Sequence, residues 1–71
     1  MATGSRSSGR VVAFDEHRGL GEVEDASGAR FPFHCTAIAD GTRTIAVDRT
    51  VEFRVVTGPI GTREAADLTP R

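Results

Sequence analysis

The feature that most constrains the fold is a pair of short alternating runs joined by a polar link. Arg18–Val23 and Phe31–Cys35 flank the segment 24–30, which contains Gly28. Side chains of a strand alternate between its two faces, and a short Gly-containing link between two such runs is typical of an antiparallel hairpin. One face of this hairpin would be bulky and apolar and the other mixed and basic. We expect function on the mixed face.

The remaining sequence adds short strands and turns and shows no long helical pattern. The predicted strands are 9–15, 18–24, 30–34, 49–57 and 62–68, with one helical turn at 35–38, a polar loop at 39–48 and a turn at 58–61. The alternation of Val51, Phe53 and Val55 with polar residues is the clearest sign of a half-buried strand. This pattern predicts an all-β fold, a five-stranded antiparallel barrel that is closed or nearly closed, because closure removes exposed strand edges.

Several side chains are assigned to the core or to an edge of that sheet. Phe31 and Phe33 are predicted to point inward, and Ile45 and Val47 to fold back onto the core. Pro32 has no N–H to donate, so its nitrogen is expected to face an edge or a gap in the pairing.

Length and composition limit the number of domains and indicate the cellular compartment. The chain has 71 residues and one cysteine, which allows one domain and no intramolecular disulfide. Residues 1–8 are predicted to be a disordered N-terminal tail and 9–71 one domain. A lone cysteine, no apolar run near the roughly 20 residues of a membrane span and no apolar leader predict a cytoplasmic protein without a membrane partner.

The charge pattern argues against a histone-like polyanion binder. The net charge is −1, and all nine cationic side chains are arginines. Arginine contacts phosphate through two parallel N–H groups and stacks on bases, which lysine does less well. A local basic face is therefore compatible with a nearly neutral chain.

No pattern in the chain predicts catalysis, a cofactor or a small-molecule substrate. His34 and Cys35 are neighbours on a predicted strand, so they should point to opposite faces and cannot form a nucleophile–base pair. The Asp15–His17 cluster lacks further ligands at metal spacing, and Gly19-x-Gly21 lacks the third glycine and helix of a dinucleotide motif. We expect no enzyme activity.

The order of short motifs resembles the cold-shock domain, the five-stranded OB-fold of bacterial cold-shock proteins. The matching segments are Gly9-Arg10-Val11 with Phe14, Arg18-Gly19-Leu20-Gly21 with Val23, Phe31–Ile38, Val51-Glu52-Phe53, and Gly58-Pro59 followed by Glu64–Leu68. The second and third segments look like the family's two ribonucleoprotein motifs. The resemblance covers Gly9 to about Leu68, and it implies binding of single-stranded RNA or DNA by stacking bases on outward aromatic rings.

This chain departs from the family at most of those rings. The positions that carry a family aromatic hold other residues here: Ala13, Leu20, Glu22, Pro32, Cys35 and, in the loop, Thr42. Phe14 and His34 keep a ring. Each stacked base contributes about 1–3 kcal/mol, so binding should be weak, and the Glu22 carboxylate opposes it.

The sequence therefore predicts weak, salt-dependent binding of single-stranded RNA or DNA with little base preference. Phosphate contacts are assigned to Arg10, Arg18, Arg30 and Arg43. Stacking is assigned to Phe14 and His34, and apolar support to Leu20 and Pro32. The alternative is a protein-interaction module that kept the cold-shock fold and turned the same face to a protein partner.

Overall fold

The computed structural model describes residues 6–58 and 60–71 and contains five strands and one short helical turn. The strands are β1 (Ser7–Asp15), β2 (Leu20–Asp25), β3 (Arg30–His34), β4 (Thr50–Thr57) and β5 (Arg63–Pro70), and a 3₁₀ turn covers Cys35–Ala37. All neighbouring strands pair antiparallel, in the order β3-β2-β1-β4-β5. The prediction of an all-β fold with five antiparallel strands is confirmed.

Both terminal strands are longer than the sequence pattern indicates. β1 begins at Ser7 because Ser7 and Ser8 pair with β4, so these two residues of the predicted tail are strand. Arg6 fastens this end by donating from Nη2 to Asp67 O at 2.7 Å. β5 continues to Pro70, which lies opposite Val51. Residues 1–5 of the predicted tail and Pro59 of the predicted turn lie outside the described residues.

The core is a small apolar cluster on the inner face of the sheet. Its buried members are Val11, Val23, Phe33, Ile38, Val51, Phe53, Ala65 and Leu68. Phe31 is half-buried against Phe53, with ring centroids 5.9 Å apart. Ile45 also packs on the core as predicted. Val47 does not, because its side chain in the long loop is 51% exposed.

A bulge at Val12 changes the face on which the end of β1 lies. Val11 pairs with Val23, but the next pair along the ladder is Ala13 with Glu22. The extra residue shifts the alternation by one position, so Phe14 comes opposite Gly21 on the inner face. The Phe14 and Phe33 rings then stack across Gly21 with centroids 5.9 Å apart and planes at 10°.

The sheet is not closed by a continuous ladder among the described residues. β3 and β5, the outermost strands, pack against each other, and a parallel bridge links Ile38 to Leu68. Cys35 N donates to Gly19 O at 2.8 Å, which places residues 31, 33 and 35 at the positions hydrogen-bonded to β2. The Pro32 nitrogen therefore points to the free edge of β3, as predicted.

Candidate nucleic-acid interface

The pairing of β1, β2 and β3 arranges their outward residues in three rows. We call this surface the outer face: Arg10, Glu24 and Arg30 in the first row, Ala13, Glu22 and Pro32 in the second, and Asp15, Leu20 and His34 in the third. The predicted sharing of one face by Leu20, Pro32 and His34 is thus confirmed. The arginines occupy one end of the surface, and the apolar side chains Ala13, Leu20 and Pro32 lie towards the other end, beside Glu22 and Asp15.

The two arginines of the first row are held by carboxylates. Arg10 lies 2.9 Å from Asp48 and 3.8 Å from Glu24, and Arg30 lies 3.4 Å from Glu24 and 3.7 Å from Glu22. Opposite charges directly across a sheet stabilise each other. A phosphate group would have to compete with these carboxylates for Arg10 and Arg30, so this end of the outer face is not the basic patch that the sequence predicts.

Phe14 lies apart from the other candidate residues. It packs against the core cluster, and its ring stacks on Phe33 rather than standing on the outer face. The prediction assigned Phe14 to stacking because the resemblance gives it a ring of the family, and a regular alternation continued from the inward Val11 would also turn Phe14 outward. The bulge reverses that alternation beyond Val12.

The apolar end of the outer face opens into a groove of about 350 Å³ at the free edge of β3. We call it the His34 groove, and it is lined by Leu20, Pro32, Phe33, His34 and Glu64. Leu20 is 44% exposed, and Pro32 and His34 are exposed as well. Its volume is near the lower end of the range for small-ligand sites, about 300–1,000 Å³. The groove is large enough for one base or one side chain.

The His34 ring is fixed in place by the turn that follows it. Its Nδ1 accepts from Thr36 N at 3.3 Å and lies 3.0 Å from Thr36 Oγ1. An Nδ1 that accepts from a backbone N–H leaves the proton of the neutral ring on Nε2. His34 therefore presents an oriented ring to the groove.

Cys35 lies closer to His34 than a regular strand would allow. The 3₁₀ turn begins at Cys35, and Cys35 Sγ lies 3.8 Å from His34 Nδ1. The prediction that the two side chains point to opposite faces is wrong, because it extended the strand through Cys35. Nδ1 is already engaged by Thr36.

Arg18 and Arg43 sit in loops, and neither guanidinium has a carboxylate partner among residues 6–58 and 60–71. Arg18 precedes β2 in the turn at the His34 end of the sheet, where its N–H donates to Asp15 Oδ1 at 3.1 Å. Arg43 has φ of +63° in the long loop and is not among the residues lining the His34 groove. Arg18 does not line the groove either, but its turn lies at the end of the sheet that carries Leu20 and His34.

Two carboxylates in turns have lowered pKa values because neighbouring N–H and O–H groups donate to them. In the β2–β3 link, the Ser27 hydroxyl donates to Asp25 Oδ1 at 2.7 Å and holds the pKa of that carboxyl below its usual value. The Thr42 N–H does the same for Asp40, whose pKa is also lowered. Neither carboxylate lines the His34 groove.

Sequence reasoning missed the contribution of Glu64 to the groove. Glu64 belongs to β5, which meets β3 only through tertiary packing. No local pattern predicts that contact.

Within the described part of the chain no three His, Cys, Asp or Glu side chains are placed to hold a metal ion, and no helix there is long and apolar enough to cross a membrane.

No protein-family model matches the chain, and no curated protein is significantly similar to it.

Proposed function

We propose that the protein is a cytoplasmic, cold-shock-type protein that binds single-stranded RNA or DNA weakly, with one base seated in the His34 groove. The observation that carries this proposal is the groove itself. An oriented imidazole, Leu20 and Pro32 border one open cleft, and a base offers two apolar faces to such surfaces. Arg18 stands at the same end of the sheet to meet the adjoining phosphate.

The strand arrangement supports the proposed fold type. Five antiparallel strands form one sheet whose outermost strands, β3 and β5, pack together. We propose that this sheet is a nearly closed OB-type barrel. OB-type barrels use the sheet of their second and third strands to bind oligonucleotides, and the His34 groove lies on the corresponding strands.

The geometry sets the expected strength and salt dependence. One stacked base instead of several gives micromolar or weaker binding, since each platform contributes about 1–3 kcal/mol. Arg10 and Arg30 are paired with carboxylates and Arg43 lies in the long loop, so we assign the main phosphate contact to Arg18. With roughly 0.7 counterions released per phosphate on a single strand, the plot of log K against log salt should have a slope of about −1.

The test is a fluorescence-anisotropy titration with labelled heptathymidine and a mixed-sequence single-stranded RNA at low and physiological salt. His34→Ala should weaken binding at least fivefold, the low end of a stacking contact. His17→Ala is the matched control, because His17 is an exposed histidine in the β1–β2 turn. Arg18→Gln should weaken binding more than Arg30→Gln. Undetectable binding at low salt would overturn the proposal.

A protein partner is the second candidate function, and the paired arginines favour it. Glu22, Glu24 and Asp48 neutralise Arg10 and Arg30, which suits an interface with alternating charge better than one with a polyanion. Glu22→Phe separates the two candidates. If bases lie on the outer face, the substitution should tighten oligonucleotide binding. If the outer face binds a protein instead, the variant should still show no oligonucleotide binding.

A further inference from the structure

Among the side chains that line the His34 groove, only those of His34 and Glu64 are polar, and only Glu64 carries a carboxylate. Leu20, Pro32 and Phe33 supply the apolar lining. Glu64 approaches from β5, across the gap between the outermost strands. A base lying against His34 would therefore have a single anionic acceptor at its edge.

Glu64 differs from the other glutamates near this surface. Glu22 and Glu24 are paired with Arg30, whereas Glu64 has no arginine within ion-pair distance in the described residues. Its Oε2 lies close over Gly58, where an added Cβ would come within 2.2 Å of it. The half-buried Glu64 keeps its acceptor capacity for a ligand.

We propose that Glu64 makes the groove selective for guanine, an inference that rests on the proposed nucleic-acid function. A carboxylate only accepts hydrogen bonds. Guanine presents two adjacent donors, N1–H and N2–H, on its Watson–Crick edge and can bind both carboxylate oxygens. Uracil, cytosine and adenine each place an acceptor beside their donor. That acceptor would face Glu64, and an unpaired polar group on either side lowers affinity.

This selectivity departs from the weak base preference that the sequence predicts. Stacking alone tolerates every base, since each has a π-face. Base edges give specificity when side chains meet them in a fixed geometry. Here the His34 ring is held by Thr36, and the Glu64 side chain lies against Gly58.

The test compares four labelled RNA heptamers that are uridine throughout or carry one central guanosine, cytidine or adenosine. The guanosine heptamer should bind the wild-type protein about five- to tenfold more tightly than the uridine heptamer, the low end for a bidentate contact because the groove is open. Glu64→Gln should erase that ratio by weakening binding of the guanosine heptamer. Glu22→Gln is the matched control and should preserve the ratio.

The outcomes separate this inference from the function on which it rests. Equal binding of all four heptamers, or an unchanged ratio in Glu64→Gln, overturns guanine selectivity and leaves the proposed function standing. Binding of no heptamer overturns both. An arginine-containing peptide is then added, and the amide resonances of Leu20 and His34 are followed. If they shift, the Glu64 carboxylate binds a guanidinium, whose two parallel donors resemble those of guanine. A protein partner then occupies the groove.

Discussion

Replacing Gly21 with alanine tests how the inner face is packed, because two general effects predict opposite signs. Gly→Ala at a compatible backbone position usually stabilises by about 0.4–1 kcal/mol through the unfolded state. At Gly21 a Cβ would lie 2.5 Å from Phe33 Cζ and 2.8 Å from Ala13 O. Overpacking of this kind costs about 1–3 kcal/mol, and the Ala13 oxygen is backbone and cannot turn away. We expect a net destabilisation of about 1–2 kcal/mol.

The assay is urea unfolding supported by thermal melts. For a domain of this size the expected loss corresponds to a fall in Tm of roughly 4–16 °C. Gly58→Ala is the matched control, since its Cβ would meet the flexible Glu64 side chain and no backbone atom among its three nearest neighbours. That variant should be neutral or slightly stabilised.

A double-mutant cycle identifies the responsible contact. Phe33→Leu removes the ring atoms nearest to Gly21, so Gly21→Ala should cost less in the Phe33→Leu background, with a coupling of about 0.5–3 kcal/mol. A Gly21→Ala variant that melts at or above the wild-type temperature would refute the reasoning. So would strictly additive effects of the two substitutions.

Three further substitutions test other parts of the fold. Asp67 has φ of +53°, so Asp67→Val should lower the free energy of unfolding by about 1–3 kcal/mol and Asp67→Gly should lower it less. Both variants remove the carboxylate that Arg54 Nε contacts at 2.7 Å. Equal losses of stability in urea would contradict this prediction. The pKa of Asp25 is lowered from 3.8, with the Ser27 hydroxyl as its main cause, so its stabilisation is complete above the unfolded pKa and is lost as the pH falls through the folded one. Asp25→Ala should therefore lower the Tm at neutral pH and flatten its decline between about pH 5 and pH 2, whereas parallel wild-type and variant curves would exclude this role. Pro32→Val restores a donor on the free edge of β3 and should cause concentration-dependent self-association in size-exclusion chromatography; a variant that elutes identically at every concentration would show that the edge needs no protection.

The strands were predictable from the sequence where alternation and turns coincide. β3 has the predicted bounds, and Phe33, Val51 and Phe53 are buried as their spacing indicates. Local side-chain periodicity is sufficient for such elements, because one face of each strand must leave water.

The bulge and the charge pairing were not predictable in the same way. Val11 and Val12 are equally apolar, so the sequence does not show which one faces inward, and the tertiary pairing with β2 decides. Arg10 and Arg30 seemed free because their partners lie on neighbouring strands and in a distant loop. Glu64 entered the candidate site through packing between strands far apart in sequence.

The bulge at Val12 decides which face of the sheet carries an aromatic ring. If the ladder ran on without the bulge, Val12 would pair with Glu22, and Ala13, Phe14 and Asp15 would each change sides. Phe14 would then leave its stack on Phe33 and stand beside Leu20 as an exposed ring, while Ala13 would take its place inside. The number of aromatic platforms on such a sheet therefore depends on the register of its strands as well as on substitutions. Two sheets with the same aromatic residues could differ in affinity for bases through one bulge.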